Sequence, residues 1–184
     1  LPERRGADQP AGADHGPQPD TAHGEGVNER RFGALTGRAP HVSDSAFLAA
    51  LYLATRPDLG ALPVPRSVIE GIARHQQQLQ IEAYAQRYPA AETWLLTDGE
   101  EALGRVVLDW TSDTLRVVDL AVAPHARRHG VARTVLGALQ DACRGQRTIA
   151  LRVRVENAAA RALYAACGFA VVRDDGATLE LAWG

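Results

Sequence analysis

In the first half of the folded region the apolar positions recur three and four apart, and from about residue 93 they alternate. The first spacing turns one face of a helix to a core; the second is that of a strand, whose successive side chains point to opposite faces. Phe47, Leu48, Leu51 and Tyr52 predict a helix running to about residue 56, with Ser43 or Asp44 as its N-cap. A short strand over 34–40, weakened by Gly37, precedes it. Pro57, Pro63 and Pro65 break the chain, and a second helix is expected over 66–88, closed by Pro89. Val68, Ile72, Leu79 and Ala83 form its apolar stripe, with Gln76, Gln77 and Gln78 largely opposite.

Strands are predicted at 93–97 and 102–110, joined by the hairpin signal Asp98-Gly99, and at 115–123 after a turn at Thr111-Ser112-Asp113. Pro124 ends the third. Val135, Leu136, Leu139, Ala142 and Cys143 then mark the core face of a helix reaching about residue 144. A strand over 148–155 leads to a helix over 158–167, for which Gly168 is a left-handed C-cap. A last hairpin pairs 169–173 with 177–183 across Asp174-Asp175-Gly176. No internal repeat is visible. The alternation predicts an α/β fold: a mixed sheet with helices on both faces.

Residues 1–30 are dense in Gly, Pro, Asp and Ala and nearly lack large apolar side chains, so they cannot offset their ordering entropy. They read as a disordered tail, in which His15 and His23 have no role, ahead of a single domain over 31–184. The hydrophobic share of 46% is ordinary for a chain with a real core. A net charge of −2 and a pI near 6.3 argue against nucleic-acid or membrane-surface partners, which need a basic excess. No apolar run is long enough to cross a bilayer and no signal-peptide pattern is present, which fits a cytoplasmic setting. Cys143 and Cys167 read as free buried thiols on helices.

The candidate chemistry lies in Pro124-His125-Ala126-Arg127-Arg128-His129-Gly130-Val131-Ala132. Three readings compete. His125 and His129, four apart, could share a metal, but no third ligand is near and two guanidinium groups between them repel a cation. The stretch could be a solvated turn. It could also be an anion cradle, because a loop entering a helix directs free N–H groups and the helix dipole at a phosphate. Gly130 lets backbone approach closely, Ala132 leaves room, and Arg127 and Arg128 can form paired bonds to phosphate oxygens.

Further along, the strand over 148–155 leads into Glu156-Asn157, then Ala160, Leu163-Tyr164 and Gly168-Phe169. With both blocks in this order, the chain resembles the GNAT superfamily of acyl-CoA-dependent N-acetyltransferases over roughly 34–183, most strongly over 118–169. Ala132 departs from the family's commoner glycine. The resemblance implies a three-layer sandwich: a mostly antiparallel central sheet with one splayed parallel strand pair and helices on both faces. It implies acetyl-CoA as co-substrate, no metal, and direct attack on the thioester by a primary amine of a small molecule or peptide. The cofactor arm would run along Leu120, Ala121 and Val122, with its diphosphate on Arg127, Arg128, His129, Gly130, Val131 and Ala132, and Asn157 as a polar contact. Val122 would offer its N–H to the oxyanion, and Tyr164 would be the general acid.

Asp119 is the candidate base, and it also reads as a structural acid buried against a helix. Where some relatives place a glutamate base, this chain has Arg116. A base acting through ordered water, Glu82 and Tyr84 are the other options. The alternative function is a catalytically silent acyl-CoA-binding or interaction module. Monomer and homodimer are both left open, and so is the acceptor, although few acidic residues in the acceptor segments disfavour polyamines.

Overall fold

The computed structural model describes residues 29–110 and 113–184. Most of the predicted tail, and Thr111 and Ser112 of the predicted turn, lie outside the described residues. Glu29 and Arg30, expected in the tail, belong to strand β1 (Glu29–Phe32). β1 pairs with β2 (Leu35–Arg38) around Gly33, whose φ of 62° suits it to a tight turn. The sequence showed one strand here because β1 is charged on three of its four positions and carries a single core residue, Phe32. Gly37, which weakened that strand in the sequence, is needed: a Cβ there would strike the Phe32 ring.

A 3-10 turn (Val42–Asp44) opens α1 (Ser45–Ala54). Asp44 occupies the N-cap position, but its carboxylate makes no bond into the helix. It accepts instead from the Arg38 guanidinium at 2.7 and 2.8 Å and from the His41 N–H at 2.7 Å, fixing β2 to the start of α1. A single-turn α2 (Pro57–Gly60) and the long α3 (Arg66–Arg87) follow. Then come β3 (Glu92–Asp98), β4 (Glu101–Asp109), β5 (Thr114–Val122), α4 (Val131–Cys143), β6 (Thr148–Arg154), α5 (Ala158–Ala166), β7 (Ala170–Asp174) and β8 (Thr178–Trp183).

The eight strands form one sheet in the order β1-β2-β3-β4-β5-β6-β8-β7. Among the described residues β5 and β6 are its one parallel pair, and every other neighbour is antiparallel. On one face Val135, Leu136, Leu139 and Cys143 of α4 and Tyr164 of α5 pack on Leu96, Val106, Leu108, Leu115, Ile149 and Leu151. On the other, Leu51 of α1 covers Ala121 and Ala123, while Tyr52, Leu59, Ile69 and Ala73 join α1, α2 and α3. Cys143 and Cys167 are free thiols.

The predicted stripe on α3 is corrected. Its buried residues are Ile69, Ala73 and Gln77, whereas Val68 and Leu79 are 46% and 50% exposed. Small Ala73 allows a close crossing with α1. Arg56 Nη1 donates to Gln76 Oε1 at 2.7 Å, which draws the glutamine side of α3 inward. Side-chain bonds between helices, absent from any periodicity, set the rotation.

What positions the site is an irregularity in β5. Its register with β4 shifts between Val107 and Leu108, so Val118 is an extra residue. Pairing of β5 with β6 ends at Val117↔Leu151, while pairing with β4 runs on to Gly104↔Val122. Beyond the bulge β5 stays with β4 and parts from β6.

Candidate active site

The bond from the Ala123 N–H to the Leu103 carbonyl, 2.8 Å, sets the phase of the β4–β5 ladder. In an antiparallel ladder every second residue bonds to the same neighbour, so 119, 121 and 123 face β4. The N–H and C=O groups of Leu120 and Val122 therefore face the gap left by β6. β4 fits tightly at this point because Gly104 has no Cβ; one would sit against the Ala121 carbonyl.

The chain leaves β5 through a 3-10 turn (Pro124–Ala126) and reaches α4 through two left-handed residues, Arg128 (φ 68°) and Gly130 (φ 85°). Gly130 is the N-cap of α4, and no side chain caps that end. The backbone N–H groups of residues 128–132 find no acceptor among the described residues. A Cβ on Gly130 would meet nothing within 4 Å, so the space before these donors is open. This is a cradle fitted to an anion. The Arg127 side chain is otherwise engaged: Nε donates to the Val122 carbonyl at 3.1 Å and Nη2 to the Ala54 carbonyl at 2.9 Å, tying the loop to β5 and to the end of α1. Arg128 and His129 are exposed. His125 lies in the 3-10 turn, 3.3 Å from Glu101, so it and His129 do not share a helix face. No group of three or more potential metal ligands occurs among the described residues.

Tyr164 projects from α5 into the core, edge-on to Phe169 with ring centroids 5.9 Å apart. Its hydroxyl makes no hydrogen bond among the described residues. Burial, and then the charge of Asp119, push the phenol up to about 12. Asp119 acts on Tyr84 of α3 as well, which is also pushed up to about 12, chiefly by burial. Asp119 thus stands electrostatically between the two phenols. Its Oδ2 accepts from Arg105 Nη2 at 2.6 Å and Nε at 3.1 Å, and the same Nη2 donates to Gln80 of α3 at 3.2 Å. Glu82 is exposed and bonded to Gln78, away from this cluster. Asn157 is the N-cap of α5, its Oδ1 accepting from the Ala160 N–H at 3.1 Å, and its amide nitrogen is left for other partners.

Arg105 was missed in the sequence. A lone arginine inside Leu103-Gly104-Arg105-Val106-Val107 was the available signal, since a buried guanidinium requires an anionic partner. Also missed were Arg87 and Arg152, which with Arg116, Tyr84 and Tyr88 line a cavity on the α3 side of the gap.

The fold is similar to that of several solved acetyltransferases. The PaiA N-acetyltransferase from Thermoplasma acidophilum, solved in complex with coenzyme A, is 16% identical, with 80% of this chain and 97% of that one covered at a TM-score of 0.59. A variant of the SpeG spermidine N-acetyltransferase from Vibrio cholerae is 20% identical, with 82% and 93% covered at 0.54. The ribosomal-protein-S18-alanine N-acetyltransferase from Escherichia coli is 25% identical, with 80% and 92% covered at 0.51. No curated protein matches the chain in sequence. The profile of the acetyltransferase (GNAT) family matches residues 51–169, well over half of the chain, which belongs to that family.

Proposed function

We propose that the protein is an acetyl-CoA-dependent N-acetyltransferase acting on a primary amine of a small molecule or peptide. The observation that carries this reading is one continuous surface: the edge of β5 at Leu120 and the Val122 N–H, beside the Val122 carbonyl that Arg127 occupies, runs into the unpartnered N–H groups of 128–132. An extended pantetheine arm can add to such an edge as a strand does, and a diphosphate suits the cradle at its end. Acetyl-CoA supplies the activated acyl thioester. Leu120, Ala121 and Val122 would hold the arm. Arg128, His129, Gly130, Val131 and Ala132 would hold the diphosphate, with Arg127 keeping the loop in place and Asn157 offering its amide.

The Val122 N–H is the donor available to negative charge developing on the acyl oxygen. Tyr164 keeps its proton through the working range, since its phenol sits near 12, and can give it to a departing thiolate. Asp119 keeps Oδ1 clear of Arg105, as a partner for the acceptor's ammonium or for a water that removes its proton. A cytoplasmic setting accords with an acyl-CoA co-substrate.

The test is thermal stabilisation by acetyl-CoA together with thiol release on a panel of amines. Both are expected. Absence of stabilisation at millimolar acetyl-CoA overturns the proposal; stabilisation without turnover on any amine would mark a binding module instead.

A further inference from the structure

On the α3 side of the gap lies a cavity of about 250 Å³, walled by Tyr84, Arg87 and Tyr88 at the end of α3, Arg116 and Val118 of β5, and Arg152 of β6. Three walls carry fixed positive charge, and among the described residues no carboxylate lines the space. The volume lies below the range of about 300–1,000 Å³ usual for drug-sized ligands, which suits a metabolite no larger than an amino acid.

The arginines are only partly used by the protein. Among the described residues Arg87 meets no carboxylate; its Nε donates to the Tyr88 hydroxyl at 3.1 Å, beside that ring. Arg116 reaches Glu180 at 3.5 Å, the outer limit of a hydrogen bond. Arg152 spends one nitrogen, Nη2, on Asp175 at 2.8 Å and Thr178 at 2.9 Å. The register sets Arg116 opposite Ala150, so Arg152 lies two positions further along the neighbouring strand, on the same face of β6 as Ala150. Arg116 and Arg152 from adjacent strands and Arg87 from α3 thus line one space, and a guanidinium fork pairs readily with a planar carboxylate.

The acidic neighbours define the rest of the ligand. Asp119 lies just past the bulge of β5, and Glu180 and Asp175 pair with Arg116 and Arg152. They favour an ammonium at the gap and leave too little net positive charge for a dianion. We infer that the acceptor is a small amino acid, its amine at the gap beside Asp119 and its own carboxylate held by Arg87, Arg116 and Arg152. This rests on the acetyltransferase reading above and narrows it. The acceptor nitrogen bonds to the acyl carbon as the carbon–sulfur bond breaks; of the two protons the ammonium gives up, one is matched by the new thiol and one goes to solvent.

The test is a panel of free amino acids, their amides, the corresponding amines without a carboxylate, spermidine and phosphoethanolamine, at saturating acetyl-CoA. A free amino acid should exceed its amide at least about tenfold in kcat/KM. Arg116→Gln, Arg152→Gln and Arg87→Gln should each raise its KM while leaving acetyl-CoA affinity unchanged. Equal or better use of amides, spermidine or phosphoethanolamine overturns the inference, as does an unaltered KM in all three variants. If nothing on the panel turns over, calorimetric titration of the amino acids into the CoA-loaded protein decides: arginine-dependent binding supports the inference and its absence overturns it. Loss of acetyl-CoA stabilisation would instead remove the underlying reading, and is read separately in the thermal melt.

Discussion

Arg105 Nη2 lies 2.6 Å from Asp119 Oδ2, joining β4 to β5 just past the bulge where β5 leaves β6. The arginine side chain is 7% exposed and that of the aspartate 22%. Each charge is therefore largely withdrawn from water and depends on the other. Arg105→Met should cost about 2–3 kcal/mol, somewhat less than for a fully buried pair because Asp119 keeps some solvent. Asp119→Asn in that background should recover part of the loss. Denaturant midpoints in a double-mutant cycle measure the coupling, and additive effects would show that the pair contributes nothing.

Tyr164 and Tyr84 both hold their protons more tightly than a free phenol, whose pKa is near 10. A pKa raised on folding contributes stability that is complete below the unfolded value and is lost as pH rises through the folded one. Stability should thus fall between about pH 10 and about pH 12. Tyr164→Phe and Tyr84→Phe should each shrink that fall and remove a late component from the phenolate absorbance titration. In acyl-transfer assays Tyr164→Phe should lower kcat about a hundredfold or more, with KM for acetyl-CoA little changed. A kcat within twofold of the parent would exclude the phenol as the acid.

Gly130 and Gly137 offer a paired comparison, since a Cβ on either meets open space. Gly130 has a φ of 85° and Gly137 lies within α4. Gly130→Ala should cost about 1–2 kcal/mol of backbone strain and weaken acetyl-CoA binding further, because its methyl enters the cradle. Gly137→Ala should stabilise the fold by about 0.5–1 kcal/mol and leave binding alone. Chemical denaturation and ligand titration on both variants separate strain from obstruction.

Asp44 is held at about 2 by the Arg38 guanidinium and then by the His41 N–H. A depressed carboxylate contributes stability above its unfolded pKa and loses it as pH falls through the folded value. Asp44→Asn should cost about 1–2 kcal/mol near neutrality and flatten the acid limb between about pH 4 and pH 2. An unchanged acid limb would show that the bond between β2 and α1 is not maintained in solution.

The element types from α3 onward, the β3–β4 and β7–β8 hairpins and the family were legible because each leaves a mark within a few residues. Alternation over 93–123, the glycine ahead of α4 and the Asn157-to-Phe169 block are local patterns. The Arg105–Asp119 pair joins residues 14 apart, the Arg105–Gln80 bond joins residues 25 apart, and the Arg127–Ala54 bond joins residues 73 apart. No periodicity records such pairings. The side of α3 that meets α1, the turning of Arg127 onto carbonyls, and the convergence of Arg87, Arg116 and Arg152 were decided only when the sheet closed. Hydrophobic spacing acts along one element and chooses its type; hydrogen bonds and charge pairs act between elements, and these set the rotation of α3 and the shape of the site.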